Sequence, residues 1–220
     1  MNDLSIGFIT EGNTDVRFLS DVIRRTFIDV AFDCQSDISI DSVQHIPTWK
    51  EDFVVEVLNS AHEAQRRGVM VLCVHTDADD STDATVQETK IRPAFEAVSG
   101  RKEKLCKNLV AIVPVRMTEA WMLADKELMK QEIRTTKSDQ ELGISRRPET
   151  IANPKEAIKT AIRIAFADST RRKRNRSLDI SELYLPMGQK LSLEKLALLP
   201  SYVKFKDAVR EAFVKLNYLH

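Results

Sequence analysis

Four short apolar runs constrain this chain most, because each is followed by a stretch with helical spacing. Residues 5–10, 38–45, 69–76 and 108–115 read as strands. The third contains Val69-Met70-Val71-Leu72-Cys73-Val74 and is the most apolar. After the first, Val16, Phe18, Leu19, Val22, Ile23 and Phe27 recur at helical spacing over residues 14–27. After the second, Phe53, Val54, Val57, Leu58 and Ala61 do the same over residues 48–67, and Gly68 stands where that helix should stop. Further helices are expected over residues 84–98 and 118–124, with Thr14 and Thr118 as caps of their helices. Strand followed by helix, four times over, implies parallel pairing through right-handed crossovers. Near-continuous apolar runs agree with strands covered on both faces. The expected fold class is α/β, a Rossmann-like parallel four-stranded sheet flanked by helices.

The second half has a different character. Residues 126–152 are polar and end in Arg146-Arg147-Pro148, which reads as a helix followed by a loop. Asn153-Pro154-Lys155-Glu156 has the form of an N-cap followed by Pro at the first helical position, opening a helix to about residue 167. The basic run Arg171-Arg172-Lys173-Arg174-Asn175-Arg176 follows, then two short helices over 192–198 and 201–216. A soft boundary near residue 126 separates an α/β core, 1–125, from a helical C-terminal extension, 126–220, packed on it. The stripe Phe205, Val209, Phe213 and Leu216 is more typical of core than of an interface. A homo-oligomer stays open.

Composition narrows the class. Lys and Arg number 33, as do Asp and Glu, for a formal net charge of zero. Global charge therefore gives no support for nucleic-acid binding, which would need a local basic patch or bridging metal ions. Cys34, Cys73 and Cys106 form no metal-binding spacing, and so sparse a set indicates a reducing compartment. The N-terminus has no basic and apolar signal pattern, and no apolar stretch is long enough to span a bilayer. A cytoplasmic protein without membrane contact is expected.

Two acidic motifs carry the functional information. Glu11-Gly12-Asn13-Thr14-Asp15 follows the first apolar run, and Asp77-Ala78-Asp79-Asp80 follows the third. Each places carboxylates at the carboxyl end of a strand, the edge where open α/β sheets bind ligands. If the two strands are neighbours, Glu11, Asp77 and Asp79 share one crevice. Extended backbone would point Asp77 and Asp79 to the same side. Gly12 would let the chain turn sharply, and Asp15, in the first turn of its helix, would lean back toward Glu11. Crowded carboxylates repel one another and are normally found with a cation; a hard ion such as Mg²⁺ or Mn²⁺ prefers oxygen ligands. Trp121 reads as core, with a base-stacking platform as its competing role. His75 reads as packing or as support for the acids.

The strand ending in Glu-Gly-x-Thr-Asp, followed at a distance by an apolar strand ending in Asp-x-Asp, resembles the Toprim domain. That domain is shared by topoisomerases, primases and the OLD family of nucleases. The likeness covers just over half the chain, and Asp15, four positions after Glu11, is similar to the OLD-like, two-metal branch. The segment Thr118-Glu119-Ala120-Trp121-Met122-Leu123-Ala124-Asp125, with Asn153-Pro154-Lys155 and residues 196–213, resembles a small Toprim-like family often encoded beside ABC-type ATPases in contexts of anti-phage defence. The resemblance implies Glu11 as catalytic acid or base, and Asp77 and Asp79 as metal ligands. It further implies Asp15 as a ligand of a second metal, and Glu119 completing the site. No Tyr stands in a nucleophile setting, which argues against strand transfer.

The expected activity is divalent-metal-dependent hydrolysis of phosphodiester bonds in DNA or RNA, tRNA included, with two Mg²⁺ or Mn²⁺ ions. Lys155, Arg171, Arg172 and Lys173 are the candidate phosphate contacts, and Lys190 is singled out less. The competing expectation is a non-catalytic partner subunit of an ABC-type ATPase. A phospho-acceptor domain fits poorly, because the first strand lacks an acidic pair and no fifth strand ends in Lys.

Overall fold

The computed structural model describes residues 2–40, 43–48, 51–167 and 178–219. The core elements are β1 (Asn2–Asp3), β2 (Ile6–Ile9), α1 (Asn13–Ala31), β3 (Ile38–Ser39), β4 (Val43–His45), α2 (Phe53–Arg66) and β5 (Val71–His75). Then come α3 (residues 84–99), β6 (Leu109–Ile112) and α4 (Thr118–Met122). The C-terminal half contributes α5 (Lys126–Glu132), α6 (Pro154–Ala167), α7 (Tyr184–Lys190), α8 (Leu193–Leu196) and α9 (Pro200–Lys215). The main sheet runs β4-β2-β5-β6, with every pair parallel. The chain is thus α/β with a four-stranded parallel sheet flanked by helices, as the alternation of strand and helix signals implies.

Side-chain alternation divides the sheet cleanly. Ile6, Phe8, Val71, Cys73, Val110 and Ile112 face one side, where α1 and the C-terminal helices cover them. Ile9, Leu72, Val74 and Leu109 face the other, against α2 and α3. Burial on both faces explains why these strands read as continuous apolar runs. The helices after residue 126 share the first of these clusters with the sheet: Phe205, Val209 and Phe213 of α9 are buried there, and Leu216 packs at its edge. Arg25 Nη1 donates to Gly188 O at 3.2 Å, and Thr26 Oγ1 lies 2.9 Å from Tyr202 OH. Trp121 is fully buried, donates from Nε1 to Ser201 Oγ at 2.7 Å, and meets Tyr202 edge-on. Its place is the core, which removes it as a base-stacking platform.

Several local expectations need correction. The strand expected over residues 38–45 is two strands: Ile38–Ser39 pairs with β1, and Val43–His45 with β2. The apolar phase changes from even positions, Ile38 and Ile40, to odd ones at Val43, which one period-two strand cannot accommodate. Helix α2 starts at Phe53 rather than residue 48, because Asp52 caps it by accepting from Val54 N at 3.0 Å. Gly68 ends the local structure at φ +72°, as expected. Helix α3 is not uniform: Gln87–Ile91 forms a π-turn between Ala84–Val86 and Arg92–Ser99. Helix α7 had no counterpart in the sequence reading. Among the described residues, no helix is long and apolar enough to cross a membrane.

Candidate functional site

The chain leaves β2 to lay β4 on one side of it, then returns to lay β5 on the other. Open sheets leave a crevice at such a reversal, beyond the carboxyl ends of the strands. Glu11 stands two residues past β2, and Asp77 two residues past β5. Ile9 pairs with Val74 in the ladder, and the same register carries Glu11 to Thr76. Thr76 Oγ1 donates to Glu11 Oε1 at 2.5 Å. The condition that brings the two motifs together, adjacency of their strands, is met.

The acids fall into two sets. Glu11 and Thr76 meet Lys90 of the π-turn, whose Nζ lies 3.2 Å from Glu11 Oε1 and 3.1 Å from Thr76 Oγ1. Lys90 also stands 5.7 Å from the centre of the Phe53 ring. Asp79 lies within electrostatic reach of Glu11, Asp77 and Lys90. Its carboxyl is held above the ordinary carboxylate value by partial desolvation, then by the charges of Asp77 and Glu11.

The second set gathers where α1 and α4 begin. Asp77 Oδ1 accepts from Thr118 N at 2.9 Å and from Thr118 Oγ1 at 3.3 Å, and lies 3.3 Å from His75 Nε2. His75 Nε2 is also 3.1 Å from Thr118 Oγ1, while its Nδ1 is buried with no partner among the described residues. Burial disfavours the imidazolium, but the hydrogen bond and charge of Asp77, with Asp15 and Glu11, outweigh it and raise the His75 pKa. Asp15 is half-buried, and its pKa is raised by burial and by Asp77 and Glu119, against the opposing pull of His75 and Thr118. Glu119 is buried; Tyr184 OH donates to its Oε1, and Lys155 Nζ lies 3.3 Å from the same atom.

Several local expectations fail here. Helix α1 begins at Asn13, so Thr14 lies inside it, and the capping position is Gly12. Gly12 has φ −136° and ψ 153°, open to any residue; its use is space, since a Cβ there would come within 2.9 Å of Asp15 Oδ2. Asp15 interacts with His75, Asp77, Thr118 and Glu119. Thr118 is not a cap, because Met117 holds that position and the Thr118 hydroxyl serves His75 and Asp77 instead. Nor does extended backbone align Asp77 with Asp79: Asp79 is left-handed at φ +53°.

Lys155 is at the site, against Glu119. Lys190 is not: it pairs with Glu132 at 2.8 Å. Arg171, Arg172 and Lys173 lie outside the described residues. Lys90 and Tyr184 were missed, and no local pattern marks either. A groove of about 870 Å³ beyond α4, lined by residues including Lys126, Arg146, Arg147, Lys195 and Leu198, contains none of the five carboxylates.

The donor set fits a hard divalent cation in chemistry: five carboxylates, two of them with pKa raised by desolvation and then by neighbouring negative charge. Among the described residues, no three His, Cys, Asp or Glu side chains are gathered to hold an ion as they stand. Glu11 is held by Thr76 and Lys90, Asp77 by Thr118, and Glu119 by Tyr184 and Lys155. Binding would therefore require these side chains to turn.

Fold and site together define an α/β domain with a carboxylate cluster at the switch point of a parallel sheet. The chain belongs to the DUF4276 family, described as a domain of unknown function, whose model matches residues 10–191. The matched span contains all five carboxylates and Tyr184. Searches of curated proteins and of solved structures returned no match.

Proposed function

We propose that this protein is a Toprim-like, divalent-metal-dependent nuclease of the OLD type, hydrolysing phosphodiester bonds of DNA or RNA. The observation that carries this reading is the position of Glu11 and Asp77, each two residues past adjacent parallel strands, with Asp79 in electrostatic reach of both and Asp15 in reach of Asp77 and Glu119. Glu11 and Asp79 would hold one Mg²⁺ or Mn²⁺ ion, and Asp15, Asp77 and Glu119 a second. Such ions acidify a water nucleophile and neutralise charge on the leaving oxygen. Glu11, the more exposed of the two strand-end acids, would also move a proton to or from the reacting oxygens. Thr76 and Thr118 orient Glu11 and Asp77 through their hydroxyls. Lys155, now paired with Glu119, would turn to a phosphate oxygen. The free thiols Cys34, Cys73 and Cys106 support a reducing, cytoplasmic setting.

The test is cleavage of plasmid DNA and of tRNA in Mg²⁺ or Mn²⁺, wild type against Glu11→Gln. The proposal expects a loss of at least about a hundredfold with folding unchanged. Retained cleavage in the purified variant would overturn it.

One observation favours a second reading, a non-catalytic subunit of an ABC-type ATPase in an anti-phage system: Glu11, Asp77 and Glu119 are already held by protein donors. Stable association with such an ATPase, without cleavage by the assembly, would support it.

A further inference from the structure

Lys90 stands closest to the Glu11 carboxylate of any cation described. It is delivered by the π-turn Gln87–Ile91, a widened helical turn that is rare and concentrates at functional sites. Its ammonium is 3.2 Å from Glu11 Oε1 and 3.1 Å from Thr76 Oγ1, and its charge is felt at Asp79. Phe53 flanks it from α2. Glu11 and Asp79 are the carboxylates assigned above to one ion. Lys90 thus stands where a metal would have to compete with it.

We propose that Lys90 is a displaceable counter-ion: it holds Glu11 while no metal is bound, and when a divalent cation takes Glu11 it turns to a non-bridging oxygen of the substrate phosphodiester. The inference rests on the metal-dependent reading above and deepens it. The residue suits both positions. Its side chain is 37% exposed and that of Glu11 40%, so their pairing is worth little and is readily exchanged. A lysine ammonium is a compact point charge on a flexible stem, able to serve either partner without a fixed geometry. Neutral Thr76 donates to the same Glu11 oxygen, Oε1, so the carboxylate keeps one donor when Lys90 leaves.

The two roles predict effects of opposite sign, which a merely structural lysine would not produce. In Lys90→Met, Mn²⁺ has no ammonium to displace. Its affinity by calorimetry should rise roughly threefold to tenfold, the range of a solvent-exposed ion pair plus relieved repulsion. At saturating Mn²⁺, the KM of the same variant for bis-p-nitrophenyl phosphate should rise by roughly tenfold, because a phosphate contact is lost. Lys90→Arg should stay near wild type in Mn²⁺ affinity, and separates loss of charge from loss of fold. If wild type binds Mn²⁺ and folded Lys90→Met binds it no more tightly, the counter-ion role is overturned while the metal-dependent reading stands. Mn²⁺ binding that appears only in Lys90→Met supports the role. Absence of Mn²⁺ binding from all three proteins overturns both readings.

Discussion

Asp79 and Arg116 hold one another in left-handed backbone geometry. Asp79 has φ +53° and Arg116 φ +67°; Asp79 N donates to Arg116 O at 2.9 Å, and Arg116 N donates to Asp80 O at 3.0 Å. With Ala78 N donating to Pro114 O at 3.0 Å, these bonds zip the loop after β5 to the loop after β6. Non-glycine residues in this region cost about 1–2 kcal/mol each, and such strain clusters at functional sites. The order of substitution should therefore invert. Arg116→Gly should be more stable than Arg116→Ala by about 1 kcal/mol in denaturant unfolding, whereas glycine loses to alanine in regular structure. Alanine as the more stable of the two would show that the left-handed backbone is not retained in solution.

Tyr184→Phe should destabilise the fold by about 1–3 kcal/mol, because it strips the hydroxyl donor from a buried carboxylate. The penalty should shrink in a Glu119→Gln background, where no charge is stranded. A double-mutant cycle read by chemical denaturation measures the coupling. Strict additivity would mean that the two groups do not interact.

Gly188→Ala should cost about 1–3 kcal/mol or more from overpacking. A Cβ at this position runs into Phe18 O of α1, with Phe18 Cα only 3.0 Å away. Both obstacles are backbone, so neither can swing aside. An unfolding midpoint equal to wild type would contradict the close docking of α7 on α1.

Asp15 keeps its proton to a higher pH when folded than when unfolded, chiefly through burial, with Asp77 and Glu119 adding to it. The unfolded chain then binds fewer protons across that window. Stability falls as pH rises from the ordinary value of 3.8 through the raised one. His75 acts with the same sign: its contribution is full below 6.5 and is lost as pH rises through its raised pKa. Asp15→Asn should accordingly have a higher Tm than wild type at pH 7, with the advantage fading below about pH 4, where the wild-type acid is neutral too. A Tm difference independent of pH would contradict the assignment.

The sheet was legible because its strands are short, apolar and buried on both faces, and because Glu11 and Asp77 directly follow two of them. The break within residues 38–45 could be seen only in the phase of Ile38, Ile40 and Val43. The π-turn's one trace is the five-residue step from Val86 to Ile91, where an ordinary helical stripe steps by three or four. Lys90 reaches Glu11 across 79 positions and Tyr184 reaches Glu119 across 65. Contacts of that span depend on how helices dock, which periodicity does not encode. Thr118 does stand at the start of α4, but its hydroxyl joins His75 to Asp77 instead of capping the helix.

The central claim, that the acids at the ends of β2 and β5 form a divalent-metal site, is tested most directly by calorimetric titration. Mg²⁺ and Mn²⁺ would be titrated into wild type and into the folded double variant Asp77→Ala/Asp79→Ala. The account predicts binding by wild type that disappears in the variant. Equal binding by both proteins, or by neither, would contradict it.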